Sequence, residues 1–162
     1  MSPPKASTTI PLPLRLVLLL LEPLGALNGA YLTLFTPSSY HSAIARPHPP
    51  SWSPPFSPQN QYLYTQLAGA WLVFAFNESV ILWLYDDLKL WKLMCWGMLI
   101  SDLVYHVSAV QAVGGWERFL GVGGWNLFDW AVAVSAAGPA VVRVWICLFA
   151  GEKGGREKGK GE

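Results

Sequence analysis

The chain has 162 residues, of which 52% are apolar, 14% are aromatic and only 13% are charged. A soluble domain carries about 25% charged residues, so roughly half of the expected charge is missing. Eleven basic residues against ten acidic ones leave a net charge of +1, which excludes the basic surface that a nucleic-acid partner requires. Two cysteines exclude a disulfide framework and a multi-cysteine zinc module. The mean hydropathy of +0.33 instead indicates a protein that is surrounded by the lipid bilayer.

Four apolar segments are long enough to cross a membrane as helices. Crossing about 30 Å of hydrocarbon takes about 20 helical residues. None of the segments alternates polar and apolar residues as the strand of a barrel would. The sequence therefore predicts an all-α protein, a four-helix transmembrane bundle over residues 12–150 with spans at about 12–35, 62–85, 91–113 and 126–149. A short segment, residues 1–11, precedes the bundle, and a tail, residues 151–162, follows it.

A cleaved signal peptide is the alternative interpretation of the first span. An apolar run follows Arg15, and Ala30 offers a small residue for cleavage. Glu22 and Pro23 interrupt that run, and Asn28 stands where a cleavage site needs a small residue. The pattern therefore favours a membrane-spanning helix.

The connections between the spans differ in composition. Residues 36–60 hold seven of the thirteen prolines together with Tyr40, Trp52 and Phe56, which predicts an extended or polyproline-like loop, either a lid on the membrane surface or a solvated spacer. The sequence Asp-Asp-Leu-Lys-Leu at 86–90 predicts a tight turn between antiparallel helices. Two Gly-Gly-Trp sequences within residues 114–125 predict turns at the membrane interface, and they lack the lysine of a phosphate-binding loop. The tail is rich in Gly, Lys and Glu, which predicts disorder.

The basic residues predict the orientation of the bundle. Eight of the eleven fall on the side of the two termini. The positive-inside rule then places both termini in the cytoplasm and the proline-rich loop in the lumen. Residues 158–162, Lys-Gly-Lys-Gly-Glu, resemble a dilysine retrieval signal, which predicts the endoplasmic reticulum.

Ionisable side chains inside the spans are the candidate site residues. Such a group in a bilayer costs about 2.5–3.5 kcal/mol, so each one needs a physical reason. At a rise of ~1.5 Å per residue, Glu22, Glu78 and Asp102 lie about 15, 11 and 16 Å from the end of the bundle that holds the termini. Three carboxylates from three helices are therefore predicted to meet near the midplane in one internal cavity. His106 follows Asp102 by four residues, so it is predicted to touch that carboxylate at the rim of the cavity.

The faces of the helices agree with these depths. Trp71 and Phe74 share a face with Glu78 and predict an aromatic wall above it, and Asn77 completes the predicted substrate-binding residues. Gly25 and Gly29 share a face with Glu22 and have the Gly-x-x-x-Gly spacing that permits close approach of another helix.

Two further charged residues are predicted to be peripheral. Arg143 lies about 9 Å from the end that holds the termini and is predicted to extend its side chain to water, although Glu78 lies within its depth range. Asp129 is predicted to be a solvated first-turn residue that the helix dipole stabilises. One intramembrane histidine and scattered carboxylates lack the spacing of metal ligands, so the sequence predicts no metal and no cofactor.

The order of four short motifs resembles a known family. Glu22-Pro23, Asn77-Glu78, Asp102-x-x-x-His106 and Trp125-Asn126-x-x-Asp129 resemble, over about residues 12–150, a family of small fungal four-span membrane proteins that is catalogued as a domain of unknown function. The resemblance implies the fold and the membrane location, and it implies no activity. A looser analogy, with no residue-by-residue match, exists with the emopamil-binding sterol isomerases and with small membrane terpene cyclases, which also place carboxylates inside a helical bundle.

Three classes of function use such a cavity. A membrane enzyme would use a protonated carboxyl of the cluster as a general acid and His106 as acceptor, to isomerise, cyclise or open an epoxide of a sterol- or terpene-like substrate. A scaffold or lipid-binding protein would hold an apolar ligand there without turnover. A proton-coupled transporter would use the carboxylates as a relay, and four spans would then require a homo-oligomer. Carboxyls that only hydrogen-bond the helices together are the alternative that needs no ligand.

Overall fold

The computed structural model describes residues 4–45 and 55–151, apart from the side chain of Phe128. Within these ranges the chain is helical and contains no strand. The α-helices are α1 (Ala6–Thr9), α2 (Leu12–Phe35), α3 (Pro37–Ala45), α4 (Pro58–Leu84, opening with a 3₁₀ turn at Pro58–Asn60), α5 (Leu88–Val113), α6 (Trp116–Leu120) and α7 (Leu127–Phe149). A second 3₁₀ turn, Val122–Gly124, joins α6 to α7.

Four of these helices are long and apolar enough to cross a membrane. The membrane-spanning stretches are Leu12–Phe35 in α2, Pro58–Leu84 in α4, Leu88–Ala112 in α5 and Asp129–Phe149 in α7. Their lengths of 24, 27, 25 and 21 residues match the hydrocarbon thickness of a bilayer. The predicted all-α, four-helix membrane bundle is therefore confirmed.

Side-chain caps fix where two of the spanning helices begin. The Asp87 carboxylate accepts hydrogen bonds from the backbone N–H groups of Lys89 and Leu90 at 2.7 and 3.0 Å, which starts α5 directly after a three-residue turn. At the start of α7, the Asn126 side chain accepts from the N–H of Asp129 at 2.9 Å, and Asp129 accepts from the N–H of Asn126 at 3.0 Å. The prediction that Asp129 is solvated is wrong, because this reciprocal cap folds the side chain inward and leaves it 3% exposed.

Each of the first two spanning helices contains one π-helical turn. In α2 this turn is Val17–Leu21, and the N–H of Glu22 donates to the carbonyl of Val17, five residues back. In α4 it is Asn77–Ile81, and the N–H of Leu82 donates to the carbonyl of Asn77. The two π-turns pack against each other. Such turns are rare and occur often at functional sites, and here they adjoin Glu22 and include Glu78.

The spanning helices pack mainly as two pairs. The most extensive contacts join α2 to α4, and α5 packs mainly on α7. The buried core lies in the half of the bundle near the termini, where Leu18, Leu82, Trp91, Cys95 and Ile146 form one cluster. The half of the bundle near the α2–α4 and α5–α7 connections, here called the loop end, contains a cavity between the two pairs.

Helix α3 contradicts the predicted extended conformation of residues 36–60. Pro37 is its first residue, where a missing N–H breaks no helical hydrogen bond, and residues 38–45 contain no proline. The composition argument counted prolines over the whole connection, whereas all but Pro37 follow residue 46. Residues 46–54, with Trp52, and the predicted disordered tail from residue 152 onward lie outside the described ranges.

The segment before the first span is docked onto the bundle. The N–H and the hydroxyl of Ser7 both donate to the Asp86 carboxylate at 2.6 Å, and the N–H of Leu88 donates to the carbonyl of Pro4 at 3.0 Å. Ala6 and Ile10 are buried in the core cluster. Both ends of the described chain therefore meet the α4–α5 turn, because Gly151 also lies against Leu88.

Asp86 gives the docked segment a defined pH dependence. The hydrogen bonds from Ser7 lower the pKa of Asp86 below its ordinary value of 3.8. A carboxyl with a lowered pKa stabilises the folded arrangement above its ordinary pKa, and the stabilisation is lost as the pH falls through the lowered value. A cysteine that replaces buried Ala6 is therefore expected to be protected from a pyridyl disulfide, a thiol reagent that works in acid, until the pH falls below about 4.

Two variants test whether Asp86 is the responsible group. Asp86→Asn is expected to make the cysteine at position 6 reactive at every pH, whereas Lys89→Ala, in the first turn of α5, is expected to keep the protection of the parent. Equal protection in Asp86→Asn and in the parent at neutral pH would contradict this account.

Candidate functional site

Arg143 of α7 lies at the centre of the candidate site and is fully buried. Its guanidinium pairs with carboxylates from the three other spanning helices. Nη1 donates to Oδ2 of Asp102 at 2.5 Å, and Nη2 donates to Oε1 of Glu78 at 2.7 Å and to Oε1 of Glu22. The structure thus brings together the three carboxylates that the depth argument places at one level.

The prediction that Arg143 extends to water is wrong, and helix geometry explains why. The Cα–Cβ bonds of a helix tilt toward its N-terminus. The N-terminus of α7 is at the loop end, so the side chain of Arg143 starts toward the midplane and away from the nearer water. Three acceptors at that depth then satisfy a charge that the bilayer would otherwise exclude.

The surroundings of the guanidinium are mostly apolar. Its Cζ lies 5.3 Å from the centroid of the Phe74 ring, in cation–π geometry, and Nη2 lies 3.7 Å from Sδ of Met98. Pro139, one helical turn before Arg143, is also buried. Water is therefore excluded from one side of the cluster, and the ion pairs lie in a medium of low dielectric constant.

Two carboxyl oxygens of the cluster have no conventional donor. Oε2 of Glu22 and Oε2 of Glu78 are buried, and no donor in the described part of the chain reaches them. Both carboxyls accept a hydrogen bond through Oε1 from the same guanidinium atom, Nη2 of Arg143, so the two groups are neighbours. Two neighbouring carboxyls can hydrogen-bond to each other only when one of them carries a proton. The geometry of Glu22 and Glu78 therefore suits an acid pair that shares one proton.

A cavity of about 1190 Å³ extends from this cluster toward the loop end. Glu22 and Asp102 line the cavity, and Glu78 lies behind them. The walls are mostly apolar and include Trp71 and Phe74, as predicted for the aromatic wall. The cavity is large enough for a lipid-sized ligand, since pockets for small molecules measure about 300–1,000 Å³.

The edges of the cavity are open within the membrane-spanning segments. Leu21, Val104 and Val134 line it and are 66, 64 and 65% exposed. Because these residues belong to spanning helices, the openings face the hydrocarbon of the bilayer. An apolar molecule dissolved in the membrane can therefore enter from the side.

Helix α3 closes the loop end of the cavity. Tyr40 and Ile44 line the cavity, and Tyr40 is 8% exposed. Nδ1 of His41 and the hydroxyl of Tyr64 on α4 are 2.8 Å apart, and the ring of Phe56 packs edge-on against that of Tyr64. Burial raises the pKa of Tyr40, so its hydroxyl stays neutral. The described part of this connection therefore covers the loop end of the cavity.

Two of the predicted site residues lie outside the cavity. Nδ1 of His106 hydrogen-bonds to the backbone carbonyl of Asp102 at 2.7 Å, and not to the Asp102 carboxylate that the sequence analysis predicts it to touch. Its ring packs edge-on against Tyr105. Asn77 precedes Glu78 by one residue and so points about 100° away around the helix. Neither His106 nor Asn77 lines the cavity.

The two glycines of α2 have different roles. The Trp71 indole packs so closely on Gly29 that a Cβ there would lie 2.9 Å from two of its ring carbons. Gly25 lines the cavity, and a Cβ there would meet nothing within 4 Å. The predicted close approach therefore occurs at Gly29, and Gly25 leaves space for a ligand.

Arg143 is the site residue whose role the sequence analysis missed. The available signal was its depth, which overlaps that of Glu78, because the other lysines and arginines in the spans, Arg15, Lys89 and Lys92, lie at the span ends and cannot balance three carboxylates near the midplane. Among the residues that the structure describes, no group of three or more His, Cys, Asp or Glu side chains is arranged to hold a metal ion.

Fold and site together define a multi-pass membrane protein with an arginine and three carboxylates in its interior. The chain belongs to the family described as Domain of unknown function (DUF7704), whose model matches residues 7–153. The match begins at Ser7, in the docked segment, and includes the whole bundle. No curated protein and no solved structure matches the chain.

Proposed function

We propose that this protein is a membrane enzyme that moves a double bond in an apolar, sterol- or terpene-like substrate by acid–base chemistry. The observation that carries the proposal is the position of two neighbouring carboxyls, Glu22 and Glu78, on one nitrogen of Arg143, with Glu22 lining an apolar cavity open to the bilayer. The same arrangement suits cyclisation or the opening of an epoxide, which begin with the same proton transfer.

The charges of the cluster support a retained proton. Three ionised carboxylates against one guanidinium would leave two uncompensated negative charges, and each buried ion costs several kcal/mol to remove from water. A proton shared by Glu22 and Glu78 removes one of these charges and gives a donor to one of their two Oε2 atoms. Glu22 is then a neutral acid at the cavity wall. Glu78 accepts a hydrogen bond from the protonated Glu22 and so fixes the orientation of that carboxyl.

The reaction is balanced within the cavity. The proton of Glu22 and the electron pair of the substrate double bond form a new C–H bond, which leaves a carbocation on the neighbouring carbon. An adjacent C–H bond then breaks, its electron pair forms the new double bond, and the proton passes to Asp102. A proton returns from Asp102 to Glu22, which lies on the same guanidinium, before the next turnover, and His106, which lies outside the cavity, has no part in this step.

The aromatic wall stabilises the intermediate. Trp71 and Phe74 both line the cavity, and their rings pack edge-on against each other with centroids 6.4 Å apart. A cation over an aromatic face gains about 0.5–2 kcal/mol, more when it is desolvated. Asn77 has no part in this proposal, because it lies outside the cavity.

Isotope incorporation tests the proposal on a mixture of lipids, so the substrate need not be identified first. Protein in lipid nanodiscs is incubated in heavy water with a neutral lipid extract, and the extract is examined by mass spectrometry. Carbon-bound deuterium is expected in one lipid class. Glu22→Gln is expected to lower the rate about 10²- to 10⁴-fold, the usual contribution of a general acid. Glu117→Gln, on exposed α6, is the control and is expected to have no effect. A lipid that incorporates deuterium equally with Glu22→Gln would refute the acid role.

Non-catalytic lipid binding is the second candidate function. The pairing of Arg143 with carboxylates from three helices favours it, because such a cluster can hold the helices together without performing any chemistry. A lipid that co-purifies with the protein but takes up no deuterium would establish this alternative.

We further propose that the protein resides in the endoplasmic reticulum with both termini in the cytoplasm. The excess of basic residues at the end that holds the termini, and the resemblance of residues 158–162 to a dilysine signal, support this proposal. A cysteine at Ser51, in the loop between the first two spans, is expected to resist a membrane-impermeant reagent in intact microsomes and to react once they are permeabilised. Reaction in intact microsomes would contradict the orientation.

A further inference from the structure

The cavity also has the features of a binding site for an organic cation. We propose that it binds lipophilic ammonium compounds, with the ammonium beside Glu22 and Asp102 and the alkyl body along the apolar walls. The inference concerns the same site as the proposed function and rests on the charge state argued there, but it predicts binding whether or not the protein turns over a substrate.

The charge of the cluster is the first argument. Three carboxyls, one guanidinium and one shared proton leave a net charge of −1 at the inner end of the cavity. Among the described residues that line the cavity, none is a lysine, an arginine or a histidine. The remaining negative charge is therefore available to one monovalent cation from the membrane.

The unsatisfied acceptors are the second argument. Glu78 is completely buried and its Oε2 has no donor in the described ranges, and the same is true of Oε2 of Glu22, whose side chain is 13% exposed at the cavity. A buried acceptor without a donor is destabilising, because it has lost its hydrogen bonds to water and gained none in return. A proton shared by the two carboxyls gives a donor to only one of the two Oε2 atoms. An ammonium N–H at the cavity wall adds a donor to the carboxyl of Glu22.

The aromatic lining is the third argument. Besides Trp71 and Phe74, the cavity is lined by Tyr40, Tyr105 and Trp130. One ring already accommodates a cation, since Arg143 lies over Phe74. The aromatic rings attract a desolvated ammonium through its charge, in addition to the attraction by the carboxylates. An uncharged head group of the same size lacks both attractions.

The ammonium also relates to the proposed reaction. An enzyme binds most tightly the species that resembles its transition state. A protonated amine carries its positive charge where the proposed mechanism places a carbocation. A lipophilic amine is therefore expected to inhibit any conversion that requires Glu22.

Competition photolabelling tests this inference. Hexadecyldimethylamine that carries a diazirine is crosslinked to the protein in neutral-lipid nanodiscs, and the peptide that contains Trp71 and Phe74 is quantified by mass spectrometry. Unlabelled hexadecyldimethylamine is expected to compete at a concentration about 10-fold lower than hexadecanol, in keeping with a cation–π and charge contribution of about 1–2 kcal/mol. Hexadecanoate is expected to compete worst.

Variants assign the preference to the carboxylates. Glu22→Gln and Asp102→Asn are expected to reduce the preference for amine over alcohol, whereas Glu117→Gln is expected to preserve it. Equal competition by amine and alcohol in the wild type would overturn the inference, and that comparison needs no variant to fold. Best competition by hexadecanoate would also overturn it, because Arg143 would then be the recognition group.

The outcomes separate this inference from the proposed function. Selective amine labelling without deuterium incorporation supports the ammonium site and rejects the enzyme. Deuterium incorporation that depends on Glu22, without amine preference, supports the enzyme and rejects the ammonium site.

Discussion

Arg143→Met is expected to destabilise the protein by about 3–5 kcal/mol, because it leaves three carboxylates in the bilayer without their cation. Methionine is unbranched and of similar length, so the packing against Phe74 and Met98 changes less than the charge does. The expected readout is a strongly lowered melting temperature in detergent or nanodiscs, together with reduced accumulation in the membrane. Arg143→Lys is expected to be intermediate, since an ammonium cannot reproduce the planar fork that reaches three carboxylates.

The matched control removes the carboxylates as well. A variant that combines Arg143→Met with Glu22→Gln, Glu78→Gln and Asp102→Asn is expected to recover most of the lost stability, since neutral replacement of a buried ion cluster is often harmless. Failure of the four-fold variant to regain any stability would show that Arg143 acts through packing and not through charge.

Gly29→Ala is expected to have the second-largest effect on stability. A Cβ at this position would lie 2.9 Å from the Trp71 indole, and Trp71 is confined between α2, Phe74 and Tyr105. Overpacking of this kind costs about 1–3 kcal/mol. Because Trp71 also lines the cavity, the substitution is expected to change ligand affinity along with the melting temperature.

Gly25→Ala, one helical turn away in the same helix, is the internal control. The added methyl group meets nothing within 4 Å, and alanine is the better helix former, so stability is expected to stay equal or to rise slightly. A larger loss of stability for Gly25→Ala than for Gly29→Ala would contradict the packing described here.

The sequence was sufficient to predict the features that follow from length, periodicity and depth. Spans of about 20 apolar residues predict the four helices, and a rise of ~1.5 Å per residue places Glu22, Glu78 and Asp102 at nearly the same level. Helical spacing likewise places Trp71 and Phe74 on one face. Each of these predictions needs only the position of a residue along a regular helix.

The features that the sequence did not predict depend on direction and on distant partners. The role of Arg143 depends on the direction of the Cα–Cβ bonds of α7. They tilt toward the midplane, so the side chain extends to the carboxylates and not to the nearer water. The docking of α1 requires Ser7 to meet Asp86, 79 residues away, and no local pattern encodes that contact. Gly25 and Gly29 have identical sequence signatures, and only the position of Trp71 distinguishes them.

Two other predictions were wrong because a local feature of the sequence was overlooked. Helix α3 forms because its single proline is at the first residue, where proline is favoured. Asp129 is buried because Asn126, three residues earlier, completes a capping box that the sequence already contained.

The central claim is that Arg143 remains inside the bilayer, paired with carboxylates from three helices. Nuclear magnetic resonance of the protein with ¹⁵N-labelled arginine, in nanodiscs, tests it directly, because the chain has only five arginines and Arg143→Lys assigns the relevant signals. The pairing predicts separate, slowly exchanging Nη protons for Arg143 that a water-soluble paramagnetic agent does not attenuate. A single averaged Arg143 signal that the agent attenuates as strongly as that of exposed Arg118 would place the guanidinium in water and contradict the account.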